Sequence, residues 1–234
     1  MVSPVSRINP RDPTGMRAIE ARNIKEAQRG IDRVLASILK RFDRRMPPSA
    51  VEAMVDNELS AWTEFQKRLA VERVRDSVRR GVVRSSSLLK ALRIDPDQET
   101  MYSLVSRTIA PARETIASAH ADSVASDLKQ RVIQALIESE KDVGLRVKLK
   151  EAAAGPRNRA SIGASDQTIE THRQVVTEVY KLNGISMLTW FTSEDERVCD
   201  ICRLRHRKRY SMDRVPEPHA RCRCMLLPDD GGTK

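Results

Sequence analysis

The chain has 234 residues, enough for one or two domains, and its 40% hydrophobic and 32% charged residues are ordinary proportions for a soluble protein. Aromatic residues make up only 3%, which argues against a large β-sandwich, and no uninterrupted apolar run approaches the length of a membrane span, so no membrane anchor is expected. The formal net charge of +10 points to a polyanionic neighbour, either nucleic acid or an acidic protein surface.

Residues 1–11 read as a flexible arm, because Pro4 and Pro10 interrupt any regular element and there is little to bury. This segment has no apolar core of the kind a secretory leader carries, so the cysteines farther along are expected in a reducing compartment. A helical domain is expected over 12–155. Asp12 is placed to cap its first helix, Pro13 fits the first helical position, and Met16, Ile24, Ala27, Ile31, Val34 and Ile38 follow at steps of mostly three and four residues. Phe42 extends that stripe until Pro47 and Pro48 stop the helix. Ser49 and Glu52 have capping-box spacing for a second long helix that buries Val51, Val55, Leu59, Trp62, Phe65 and Leu69 and ends at Gly81, giving an antiparallel hairpin. Three serines at 85–87 and a short segment at 88–94 lead to Asp95-Pro96, read as the cap and first turn of a third helix. Its thin, Ala-rich apolar side runs through Met101, Leu104, Ile109, Ile116, Val124, Leu128, Val132 and Leu136, with a kink or break at Pro111. Val143, Leu145, Val147 and Leu149 alternate like a strand, but the composition of 148–154 favours helix, and Gly155-Pro156 marks a junction. A connecting amphipathic segment over 156–184 follows, with Ile169, His172, Val176 and Val179 on one side of a helix that stops at Asn183-Gly184. His120 and His172 have no ligand-spaced partners and read as ordinary surface or packed histidines.

Chemistry concentrates in the last fifth of the chain. Residues 185–191, 208–212 and 222–227 are rich in strand formers, and the same stretch holds all four cysteines, Cys199-x-x-Cys202 between the first two segments and Cys222-x-Cys224 at the start of the third, with His219 three residues before the second pair. A C-x-x-C pair sets two sulfurs at the spacing a tetrahedral ion needs, and a second ligand group about twenty residues later closes the site. Zinc is the natural occupant. Because the segment is too short to build its own core, a bound ion worth about 10–16 kcal/mol in small zinc modules would decide whether it folds. Two disulfides need an oxidising compartment, and a thioredoxin-like pair should open a helix after a buried strand, so both are less favoured here. Four of the five donors Cys199, Cys202, His219, Cys222 and Cys224 are expected on the metal: either four thiolates, or His219 in place of one sulfur. Four thiolates around a dication leave a net charge near −2, which Arg197, Arg221 and Arg223 can offset, while an Asp195–Arg197 ion pair braces the turn. Between residues 197 and 224 there are nine Lys or Arg against three acidic residues. If this stretch meets DNA, Arg203, Arg205, Arg207, Lys208 and Arg209 are the candidate phosphate contacts, with steep salt dependence and little sequence preference. The alternative is that the excess charge balances the metal site and the acidic run at 194–196. The expected fold is therefore α+β: mostly long α-helices, then a small zinc-stabilised antiparallel β module over 185–227 and a disordered tail over 228–234.

No glycine-rich phosphate loop, G-x-S-x-G or H-E-x-x-H motif occurs. A small metal-dependent nuclease needs a histidine base beside metal-binding His, Asn or Asp groups, and His219 has no such partner nearby in sequence, so no enzymatic role is expected.

The run Trp190-Phe191-Thr192-Ser193-Glu194-Asp195-Glu196-Arg197-Val198-Cys199-x-x-Cys202, followed by Pro218-His219-x-x-Cys222-Arg223-Cys224, resembles the phage Mu F-like family of minor head proteins. The helix ending in Asn183-Gly184-Ile185 and the opening Asp12-Pro13-Thr14 are similar to that family as well. The likeness is strong over about the last seventy residues and vague before them. It implies a virion protein made in the host cytoplasm, present in few copies in the head interior near the portal. It also implies contact with the portal protein and with capsid or scaffold proteins, and a role in head morphogenesis, DNA packaging or DNA ejection. No reaction is implied. The chain departs from the pattern where a glycine usually follows the C-x-x-C turn, since Arg205, His206 and Arg207 occupy that region, and Ala220 stands where a proline is common. A stand-alone zinc-containing protein that binds double-stranded DNA non-specifically is the competing reading.

Overall fold

The computed structural model describes residues 9–138, 142–193, 198–219 and 222–229. Its elements, in order, are α1 (Arg17–Arg41), α2 (Pro48–Ala91), α3 (Gln98–Thr108), α4 (Ala110–Ile137), α5 (Asp142–Ala152), α6 (Ala154–Leu182), β1 (Met187–Phe191), α7 (Asp200–Arg205), β2 (Arg209–Ser211), a single 3-10 turn (Met212–Arg214) and β3 (Met225–Asp229). Long helices followed by a small antiparallel sheet are the α+β arrangement read from the sequence. No helix among the described residues is long and apolar enough to cross a membrane. The chain divides into two compact units, one formed by 1–20, 74–113 and 166–234, the other by 21–73 and 114–165, so residues 12–155 contribute to both.

In the second of these units α1, α2, α4 and α5 bury one cluster. It includes Ile31, Val34, Leu35 and Ile38, then Val51, Val55, Leu59 and Trp62, then Val124, Leu128, Val132 and Leu136, with Leu145 and Leu149 closing it. The four-residue step from Leu145 to Leu149 settles the alternating run as helix. Gly30 brings α1 against α2, because a Cβ there would sit 2.9 Å from Trp62 Nε1 and 2.8 Å from Gln66 Nε2. Gln66 is buried where the sequence reading placed Phe65 and Leu69: Phe65 is 37% exposed and Leu69 only half-buried. Past Trp62 the buried stripe runs through Gln66 and Ala70, following the true turn of the helix and not hydrophobicity.

The other unit holds the C-terminal sheet together with all of α3 and parts of α2 and α6. Here the end read at Gly81 is corrected, since α2 continues to Ala91 and takes in the three serines. A Cβ on Gly81 would lie 2.6 Å from Val175 Cγ1 and 3.2 Å from the carbonyl oxygen of His172, so this glycine lets α2 and α6 approach each other. The Ser85 hydroxyl is absorbed into the helix, donating to the Gly81 carbonyl at 2.8 Å.

Other expected boundaries shift for local reasons. Helix α1 starts at Arg17, not at Pro13, because Gly15 takes φ +70° and turns the chain just before it. Asp12 instead closes that turn, accepting from the Thr14 hydroxyl at 3.0 Å and from the Arg17 N–H at 3.2 Å. The cap of α3 is Asp97, whose carboxylate accepts from the N–H groups of Glu99 and Thr100 at 3.0 and 3.3 Å, and not Asp95. Helix α3 ends at Thr108 and α4 begins at Ala110, so the expected interruption precedes Pro111. Leu104 and Ile116 face solvent, at 40% and 57% exposed, while Val105, Ala117 and Ala121 are buried, because small side chains let the helices approach. Gly155 and Pro156 lie in the first turn of α6, where proline's missing N–H costs nothing. Of the arm, residues 1–8 lie outside the described residues, as do 230–234 of the tail. Pro228 and Asp229, read as tail, end β3.

Helix α6 stops where expected: Gly184 adopts φ +76°, and the Ile185 N–H donates to the Tyr180 carbonyl at 3.0 Å. The sheet that follows has strand order β2-β1-β3, with both neighbours antiparallel to β1. The register sets Leu188 against Tyr210 and Pro228, and Trp190 against Leu226. Leu188, Trp190, Phe191 and residues 225–228 are all buried.

Candidate metal centre

The chain reaches the first cysteine pair from the end of β1. Beyond Phe191, the Ser193 hydroxyl donates to the Arg11 carbonyl at 3.1 Å. Residues 194–197, including the expected bracing pair Asp195 and Arg197, lie outside the described residues, as does Arg221. Cys199 then caps α7: its backbone is extended and its Sγ accepts from the Cys202 N–H at 3.4 Å. The C-x-x-C segment thus opens a short helix after the buried strand β1 instead of forming the expected plain turn, so its setting does not count against a thioredoxin-like pair; what favours a metal is that His219, Cys222 and Cys224 gather at the same two sulfurs, and one helical turn brings Cys202 beside Cys199. A sulfur at a helix N-terminus is favoured as thiolate, and the Cys199 thiol is pushed below its ordinary value by the Cys202 N–H and by His219.

The second ligand segment returns along an irregular path. The guanidinium of Arg205 donates to the Glu217 carbonyl at 3.0 Å and pins it, and a turn closed by the Cys222 N–H on the His219 carbonyl at 3.0 Å presents the remaining donors. His219 Nε2 lies 3.1 Å from both Cys199 Sγ and Cys202 Sγ, and Cys202 Sγ lies 3.7 Å from Cys222 Sγ. All five expected donors therefore converge, as two overlapping triads that share Cys202: Cys199, Cys202 and His219, and Cys202, Cys222 and Cys224. No S–S bond joins any of the four cysteines in this structure.

These distances fit a tetrahedral ion. With metal–sulfur bonds near 2.3 Å, the edge between two sulfurs is about 3.8 Å, close to the Cys202–Cys222 separation. With a metal–nitrogen bond near 2.0 Å the nitrogen–sulfur edge is about 3.5 Å, so the 3.1 Å separations are a few tenths of an ångström tight and an ion would spread His219 slightly outward. His219 is exposed, whereas Cys202, Cys222 and Cys224 are 1–5% exposed. Donor chemistry points the same way: thiolate and imidazole suit a borderline-soft dication and not calcium or magnesium. Without an ion the three buried sulfurs compete for charge. Burial and the neighbouring Cys222 push the Cys202 thiol up, and contact with Cys222 together with burial pushes Cys224 up, while the Cys224 contacts and Arg173 hold Cys222 down. A dication would let all of them ionise together.

Arg173, on α6, is a site residue that the sequence did not reveal. Its side chain is 11% exposed, pairs with Glu170, and faces Cys222 and Cys224; burial lowers its pKa, and the two thiols counteract that. It lies 49 residues before Cys222 in sequence, one place beyond His172 in the stripe, and the only hint was a charge at the edge of an otherwise apolar face. Arg223, the expected counter-charge within the described residues, is half-buried between Cys222 and Cys224.

The five expected phosphate contacts divide. The Arg205 guanidinium carbon lies 5.0 Å from the centroid of the Trp190 ring, and Arg209 bonds both carboxylate oxygens of Asp229, at 2.5 and 3.2 Å. Arg203, Arg207 and Lys208 are exposed, with Arg203 3.6 Å from Asp200. Arg207 has φ +60°, the left-handed conformation that glycine adopts most easily, and its N–H donates to the Trp190 carbonyl at 2.7 Å. His206 beside it accepts the Thr192 N–H at Nδ1 over 3.2 Å and packs on Phe191, ring centroids 5.0 Å apart. The stretch that departs from the glycine pattern is thus where the backbone is strained, held there by β1.

No family model, no curated protein and no solved structure matches the chain.

Proposed function

We propose that this chain is a phage head-morphogenesis protein of the Mu F-like kind, in which a zinc ion held by four of Cys199, Cys202, His219, Cys222 and Cys224 fixes a C-terminal module on a helical body. The observation that carries the reading is the convergence of five donors from two segments, beside the Trp190 strand, in the order the motif sets out. Five donors for four positions leave a zinc ion no open site for substrate or water, which supports a structural role and assigns no reaction. In this reading the protein is in the head interior near the portal, contacts portal and capsid or scaffold proteins, and acts in DNA packaging or ejection.

Mass spectrometry of purified particles and assembly intermediates, with a pull-down against the portal protein, tests it. Presence in both is the expected result; absence from both overturns the reading. The exposed Arg203, Arg207 and Lys208 favour a second reading, a stand-alone binder of double-stranded DNA. Salt-sensitive binding to bare duplex, with no particle association, would select that one.

A further inference from the structure

We infer that the outer face of α7 is a docking surface for an acidic, amphipathic segment of a protein partner. Ile201 and Leu204 are 58% and 71% exposed, and they stand three residues apart on one face of the helix, which buries Cys202 on another. A six-residue helix clamped by the metal cluster on its inner side has no need of two branched aliphatic residues on its outer side. Arg203 on the same helix, 3.6 Å from Asp200, and Arg207 and Lys208 just past its end are exposed, whereas Arg205 and Arg209 are committed to Trp190 and Asp229. The combination selects the partner. Phosphates would engage the basic groups but leave Ile201 and Leu204 against water or a charged backbone, whereas a helix carrying leucine-like anchors among Asp and Glu satisfies both. Because Cys199 and Cys202 would be tied to one ion, the helix is presented already formed, which lowers the ordering cost of association.

The inference rests on the metal reading for that rigidity and is independent of the head-protein reading. Metal content is therefore measured first on every variant. The probe is a displayed library of random peptides, about 16 residues long to allow four helical turns, panned on the zinc-loaded full chain and on its Leu204→Ser variant. The expected result is enrichment of Asp/Glu-rich peptides with apolar residues at three- and four-residue spacing. These should bind about tenfold or more weakly to Leu204→Ser and Ile201→Ser with zinc retained, and more weakly as salt rises or when Arg207 and Lys208 are changed to Glu. Equal enrichment on wild type and Leu204→Ser, or no enrichment, overturns the inference. Self-association in sedimentation that Leu204→Ser abolishes would make the occupant a second copy and also overturn it. So would duplex DNA binding that survives Leu204→Ser and is lost in the Arg207→Glu, Lys208→Glu variant, if no peptide binds.

Discussion

His172 gives the sharpest stability prediction. Its ring is 1% exposed and both ring nitrogens lack a hydrogen-bond partner among the described residues, so adding a proton would bury a charge without a partner. Burial lowers its pKa from 6.5 to about 4; Arg84 and Arg80 act in the same direction and Asp12 against it. In the unfolded chain the imidazole takes up its proton as pH falls through its ordinary value, but the folded protein resists until near pH 4. Between those limits the unfolded state binds more protons, so folding stability rises with pH. At about 1.4 kcal/mol per tenfold, the contribution is about 3 kcal/mol: full above pH 6.5, lost progressively toward pH 4, and unchanged below that. Urea unfolding of wild type and His172→Leu at a series of pH values measures it. A thiolate-bound metal would also weaken in acid, and taking the difference between the two proteins removes that shared part. The variant should lose less stability on acidification, and at pH 7 it should be as stable as wild type or more so, because two unpartnered nitrogens are gone. Parallel pH profiles for the two proteins would refute the reasoning.

Four further outcomes are expected. Metal analysis should find about one zinc per chain, and Cys202→Ser, which breaks both donor triads, should abolish binding and melt the C-terminal module while circular dichroism retains most of its helical signal. Arg173→Leu should lower zinc affinity about 10-fold or more in competition with a chromophoric chelator, because it removes the buried cation facing Cys222 and Cys224; unchanged affinity would make Arg173 only a packing residue. Gly81→Ala should destabilise: the propensity gain of about 1 kcal/mol is outweighed by overlap with Val175, a fully buried neighbour that cannot give way, at a cost of about 1–3 kcal/mol, so a lower denaturation midpoint is expected. Arg207→Gly should raise thermal stability by up to about 1 kcal/mol through relief of the left-handed backbone, and a lower melting temperature would show that the side chain does more than occupy the turn.

The sequence by itself determined what depends on neighbours a few residues apart. Three- and four-residue apolar steps gave most of the buried stripe of α1 and the first half of α2, Asn183-Gly184 ended α6 because only a residue tolerant of positive φ closes that turn, and the two cysteine pairs with His219 beside the second marked the five groups that the fold gathers. Strand propensity located β1, β2 and β3 to within a few residues. What only the tertiary structure decided is which of two locally acceptable roles a residue takes. Gly81 has the chemistry of a helix end but serves as the contact point of α2 with α6. Gln66 is buried in place of Phe65, and Arg205 lies on Trp190 instead of reaching outward with Lys208. Arg173, coming from a helix far from the cysteines, stands beside Cys222 and Cys224. Each of these outcomes is set by how closely two distant segments approach, and an approach distance is a property of the packed chain that no spacing along it encodes.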